Sequence, residues 1–175
     1  MTLTFRFARP GDAAAVHALT ERTYRGETAA RGWTHEADLL AGPRTSRSEI
    51  DALIADPASR FVLAEDDGRL AASALIQSRG EVAYFGMFSV DPDAQGQGVG
   101  RAVLAACERA ALNEWGAARL EMTVISLRQE LIAWYGRRGY RPTGERRPFP
   151  FDEHSGALRT DFDLVVLEKG LGNTA

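Results

Sequence analysis

Apolar and polar residues alternate at strand period in "LTFRFA", Leu3 to Ala8, and the period then lengthens, with Pro10 to Asp12 opening a helix that runs to about Arg22. Residues 24 to 45, "YRGETAARGWTHEADLLAGPRT", hold neither period and read as short helices and loops. "SRSE", Ser46 to Glu49, has the spacing of a capping box, and the helix it starts must stop before Pro57. Strand patterning returns in "RFVLAE" and "RLAASALIQ", joined by Asp66-Asp67-Gly68 as a hairpin, and again in "EVAYFGMFSV" after Ser78-Arg79-Gly80. From Val90 the chain "VDPDAQGQGVGRAVLAACERA" passes through Asp-Pro and three closely spaced glycines into an alanine-rich helix that ends near Gly116. "ARLEMTVI" is a strand, Arg128 to Arg138 a helix stopped by Gly139, and "YRPTGE" and "DFDLVVLEK" are the last strands.

Antiparallel hairpins followed by alternating strands and helices predict a mixed sheet with helices on its faces, in the α/β (α+β) class. No linker or internal repeat divides the 175 residues, whose 45% hydrophobic content suffices for one full core, so residues 1–175 are expected to form a single domain. The net charge of −3 supplies no global basic field for nucleic acid or an anionic membrane. Arginine provides nearly all the positive charge, Lys169 being the sole lysine. A single cysteine, Cys107, excludes an internal disulfide framework, and His17, His35 and His154 are too far apart for a local metal motif. The amino terminus lacks a signal-peptide core and no apolar run reaches membrane-spanning length, so a cytoplasmic protein is expected.

The glycine loop is the feature with chemistry. The first turn of a helix carries backbone N–H groups without intrahelical partners and the positive end of the peptide dipole. Glycines let a ligand approach that backbone, so strand, loop and helix together suit a phosphate, although a plain turn would need no more. A dinucleotide fingerprint requires another glycine three positions after Gly98, where Arg101 stands, and no lysine follows the glycines as a Walker loop demands.

"QGQGVG", Gln95 to Gly100, matches the Q/R-x-x-G-x-G/A signature of the GNAT superfamily of N-acetyltransferases. The downstream "AWYGRRGYRPTGE" resembles that superfamily's next landmark, a helical tyrosine shortly before a glycine-aromatic pair. The resemblance implies a mixed, mostly antiparallel sheet whose central parallel strands, "EVAYFGMFSV" and "ARLEMTVI", splay apart around acetyl-CoA as co-substrate. It places the pyrophosphate on the backbone of Gly96, Gln97, Gly98, Val99, Gly100 and Arg101, and the pantetheine arm along Phe88, Ser89 and Val90. Gly86 would mark the bulge that splays the strand. Tyr135 becomes the acid that protonates the departing thiolate. Many relatives have an asparagine where this chain has Arg128, whose guanidinium could instead reach a cofactor phosphate or pair with Glu130 or Glu121.

A general base is less sharply indicated. Glu36 and Glu121 are the leading candidates, beside Glu27 and Asp38, and a water chain could serve instead. Trp33, next to Thr34, and the late loop with Phe149, Phe151, Asp152, Glu153 and His154 are candidates for the acceptor side, though each also suits ordinary packing. The expected partner is a small-molecule or peptide amine, with a homodimer left open. Two other classes remain: a noncatalytic acyl-CoA binding module, which would not need Tyr135, and a nucleotide-binding oxidoreductase, which would need the missing fingerprint.

Overall fold

A computed structural model describes residues 1–24, 45–151 and 157–172. Seven strands form one sheet in the order β1-β2-β3-β4-β5-β7-β6. They are β1 (Leu3–Phe7), β2 (Ser59–Asp66), β3 (Arg69–Arg79), β4 (Val82–Val90), β5 (Arg119–Ile125), β6 (Arg141–Arg147) and β7 (Leu164–Gly170). Every neighbouring pair is antiparallel except β4 and β5, which run parallel. Helices α1 (Ala13–Tyr24) and α2 (Arg47–Ala55) cover one face, and α3 (Val99–Trp115) and α4 (Gln129–Gly136) the other. The mixed sheet with helices on both faces agrees with the expected fold class.

Local chemistry sets most boundaries. The Ser46 side chain accepts the Glu49 N–H at 3.1 Å and starts α2, while the Glu49 carboxylate turns to the Thr45 hydroxyl rather than completing the box. Asp67 and Gly68 both adopt left-handed backbone, φ 49° and 76°, as a two-residue hairpin turn requires. Gly116 closes α3 in the same conformation, φ 61°.

The two faces have separate cores. Val16 of α1 and Ile50 of α2 pack with Phe61, Leu63 and Leu75 on one side. On the other, Val99, Val103, Leu104 and Cys107 of α3 meet Ile76, Phe85, Phe88, Leu120 and Met122. Cys107 is fully buried there, and the loss of solvent pushes its thiol pKa far up, so it behaves as a small apolar residue. No helix among the described residues is long and apolar enough to cross a membrane.

Candidate active site

The parallel pairing of β4 with β5 is short. Val82, Ala83 and Tyr84 pair with Arg119, Leu120 and Glu121, and there the ladder ends. Strand β5 continues to Ile125 fully paired with β7 on its other side, so beyond Tyr84 the two central strands part and open a cleft. A bulge in β4 accompanies the parting: Ala74 of β3 lies opposite both Met87 and Phe88, between the Leu75/Gly86 and Ser73/Ser89 pairs. Met87 takes the strain, with φ 46°, and the expected bulge therefore lies one residue beyond Gly86. Gly86 has a steric task instead, because a Cβ there would stand 2.8 Å from the Tyr84 ring. The bulge also resets the alternation, so that Ala83 and Phe85 before it, and Phe88 and Val90 after it, all enter the same core.

The glycine loop lies where β4 delivers the chain to α3. Gly96 and Gly98 both have φ 80°, and a Cβ at either would meet no protein atom within 4 Å. Glycine is needed there for backbone conformation, and the space above it is open. Gly98 is the N-cap of α3 and gives no side-chain cap, so the first-turn N–H groups of Val99, Gly100 and Arg101 face that space, the first helical bond running from Ala102 N–H to Gly98 C=O at 3.1 Å. Gly100 serves packing, since a Cβ there would crowd Phe88 at 3.2 Å.

Asp91 holds the loop to the sheet and to α1. Its buried carboxylate accepts the Asp93 N–H at 2.9 Å, pairs with Arg22 of α1, and meets Arg69 at 3.4 Å. Replacing it by alanine leaves Arg22 without its best-buried anion and releases the Pro92–Ala94 turn. The expected results are a loss of about 2 kcal/mol of stability in urea denaturation and a several-fold weaker hold on any anion at the loop.

Tyr135 sits on the inner side of α4. It is 4% exposed, and its ring meets Phe85, Trp134 and Tyr140 edge-on at 6.4, 5.1 and 5.8 Å. Its hydroxyl finds no hydrogen-bond partner among the described residues. Burial drives its pKa well above the ordinary 10, the phenols of Tyr24 and Tyr84 push in the same direction, and Arg128 pulls against them. Tyr24, the last residue of α1, donates its hydroxyl to the Phe88 carbonyl of β4, and the Tyr84 hydroxyl lies 3.4 Å from Thr123 Oγ1 of β5, bridging the apex.

The model of the acetyltransferase (GNAT) family matches residues 16–140, well over half the sequence and including β4, the loop, α3, β5 and α4. The chain belongs to the GNAT acetyltransferase family. No curated protein matches it in sequence. Among solved structures, the ribosomal-protein-S18-alanine N-acetyltransferase from Escherichia coli superimposes with a TM-score of 0.74 at 20% identity, over 99% of this chain and 97% of that one. Nourseothricin acetyltransferase gives 0.67 at 23% identity, over 98% and 100%. A spermidine N-acetyltransferase chimera from Vibrio cholerae gives 0.70 at 17% identity, over 97% and 96%. At these identities the likeness is one of fold.

Within this GNAT fold, most of the residues singled out from sequence gather at the cleft. Phe88, Ser89 and Val90 form the end of β4, Gly96 to Arg101 the loop and first helical turn, and Tyr135 lies beside them. Arg128 is the N-cap of α4 rather than a residue within it. Glu121 is the last residue of β5 paired with β4 and is bound by Arg147 at 2.9 Å, across β7. Phe149 and Phe151 cluster with Phe162 at centroid distances of 5.0 to 5.1 Å, against Ile125 at the carboxyl end of β5. Glu27, Trp33, Thr34, Glu36, Asp38, Asp152, Glu153 and His154 lie outside the described residues. Sequence reasoning passed over Tyr24, Tyr84 and Arg147, which only tertiary pairing brings to the site. Tyr24 did carry a trace, falling on the stripe of α1 that also holds Val16, Leu19, Thr20 and Thr23, all buried.

Proposed function

We propose that this GNAT chain transfers an acetyl group from acetyl-CoA to a primary amine by direct attack. The observation that carries the reading is the uncapped amino terminus of α3, with two left-handed glycines and open space before it, set at the end of a strand that has lost its parallel neighbour. Backbone N–H groups of Gly96 to Arg101 would hold the pyrophosphate. The β4 edge from Phe88 to Val90 would pair with the amides of pantetheine as another strand would. Acetyl-CoA supplies the activated acyl group as a thioester.

The remaining chemistry belongs to the chain's own residues. The amine nitrogen bonds to the carbonyl carbon, the carbon–sulfur bond breaks, the amine gives up one proton and the sulfur takes one. Tyr135 is the proton donor to sulfur: its burial keeps the phenol protonated, and its hydroxyl is not spent on another group among the described residues. A backbone N–H of β4 aimed at the thioester oxygen would stabilise the developing negative charge. Glu121, kept company by Arg147, and Glu36 are the candidates to receive the amine's proton.

The sensing alternative requires the loop but not an acid, and a free, protonated tyrosine hydroxyl at the cleft favours the enzyme. Thiol release from acetyl-CoA, measured across a panel of polyamines, aminoglycosides, amino acids and peptide amino termini, tests the proposal. CoA binding without thiol release for any amine supports the sensor instead. Acceptor choice is assigned to residues 24–45 and 146–160, whose acidic and aromatic content suits a cationic amine. Trp33→Ala and Glu36→Gln should each raise the acceptor KM several-fold while leaving CoA affinity unchanged, and steady-state kinetics with titration calorimetry checks both.

A further inference from the structure

Tyr24 reaches the cleft from α1, and the direction of its hydrogen bond limits what it can do there. Ser89 of β4 pairs with Ser73 of β3, and the Asp91 N–H donates to the Ala71 carbonyl at 2.8 Å, so the backbone groups of Val90, between them, point away from β3. Phe88, two positions earlier, turns its carbonyl the same way. Both carbonyls therefore lie along the edge of β4 that β5 has left. Each is met by a side chain. Gln95 donates its Nε2 N–H to the Val90 carbonyl at 3.2 Å, and the buried Tyr24 donates its hydroxyl to the Phe88 carbonyl. Thr23 Oγ1 stands 3.4 Å from the same Val90 oxygen, so the end of α1 is seated on this edge.

A phenol has one proton to give, and the proton of Tyr24 goes to Phe88. Toward a reactant its oxygen can only accept, and a hydroxyl that donates to a carbonyl becomes a better acceptor. Tyr135 is the converse case, with a proton that no described residue receives. Two phenols at one cleft thus differ in role, one fitted to give a proton to sulfur and the other to hold an N–H. Amide formation needs such a holder. The nitrogen must aim its lone pair at the carbonyl carbon, and its N–H bonds must be fixed for that aim to be kept.

We infer that Tyr24 orients the acceptor, its oxygen accepting one N–H of the incoming amine, and that this contact makes the protein select primary over secondary amines. The inference rests on the acetyl-transfer reading above. A primary amine brings two N–H bonds. One proton leaves to the base as the carbon–nitrogen bond forms and the carbon–sulfur bond breaks, and the sulfur takes its proton from Tyr135. The other N–H stays on nitrogen into the product amide and is the one that Tyr24 holds throughout. A secondary amine has a single N–H, which it must surrender, so nothing remains for Tyr24 to hold in the product.

The probes are the fastest primary amine of the panel above and the same compound N-methylated on the reacting nitrogen. The unmodified protein should favour the primary amine in kcat/KM by at least about tenfold. Tyr24→Phe keeps the ring and removes the oxygen, and it should lower kcat/KM for the primary amine about tenfold more than for the N-methyl form, with CoA affinity in calorimetry within about twofold of the parent. Loss of the Phe88 contact alone would slow both amines equally, and that result overturns the inference while leaving acetyl transfer intact. An unchanged preference in Tyr24→Phe overturns it as well. So does equal use of the two amines by the unmodified protein, a comparison that needs no variant to fold. Thiol release with no amine of the panel overturns the acetyl-transfer reading, and this inference with it.

Discussion

Tyr135→Phe is expected to lower kcat by about a hundredfold or more while barely changing CoA affinity. The ring stays where Phe85, Trp134 and Tyr140 hold it, and the hydroxyl gives up no hydrogen bond to any described residue, so stability should change little. The change falls on the proton delivered to the leaving sulfur. A tyrosine that merely packed would behave in the opposite way, with a shifted melting temperature or weaker binding and an undisturbed chemical step. The pH profile adds an independent check. Burial raises the phenol's pKa above its ordinary 10, so the protonated form that serves as acid is kept across the neutral range and lost only above it. Any alkaline decline in kcat below pH 10 must then come from another group and should persist in the phenylalanine variant. Rapid-quench measurement of the acetyl-transfer step, with the acceptor saturating, is the deciding experiment. Parent-rate transfer by Tyr135→Phe would remove the general-acid role and leave water to protonate the thiolate.

How far the sequence reveals this site depends on how local each determinant is. The hairpin turn at Asp67-Gly68, the Ser46 cap and the Gly116 stop are each decided by one or two residues and their own backbone, and each was legible. The glycine loop belongs to the same class: its conformation is written in Gly96 and Gly98, and the uncapped helix follows from having glycine at the N-cap. The insertion of β7 between β5 and β6 is of another kind. It depends on pairing residues far apart in sequence, such as Arg119 with Gly170, and no periodicity encodes which edge a strand will join. Strand β6 shows the consequence. Its Pro142 and Gly144 disturb the pairing with β7, which resumes at Arg146, and an exposed edge is where such residues are tolerated. The bulge at Met87 lies between the two classes, because the apolar spacing of positions 83, 85, 88 and 90 carries a break in period that a strict strand would not.

Gly98→Asp is expected to weaken CoA binding by about a hundredfold or more, with the protein still folded. The expectation separates two things that a glycine can do. One is conformational: at φ 80° an ordinary side chain is strained, although aspartate and asparagine accept the left-handed region better than most. The other is access, and here the surroundings decide. A Cβ on Gly98 meets no atom of the protein within 4 Å, so the fold itself has room for a side chain, and what that side chain would obstruct is a ligand over the α3 terminus. Gly98→Asn supplies the comparison, having the same shape and backbone tolerance without the charge. Asparagine should weaken binding by its bulk alone, and aspartate should weaken it further, because its carboxylate occupies the positive end of the helix and opposes the pyrophosphate directly. Thermal melts of the three proteins separate the loss of affinity from any loss of fold. Calorimetric titration of the three proteins at one ionic strength gives the order parent, asparagine, aspartate if an anion is held there. Equal affinity in all three would mean that the loop is a turn and that the pyrophosphate, if bound, lies elsewhere on the chain.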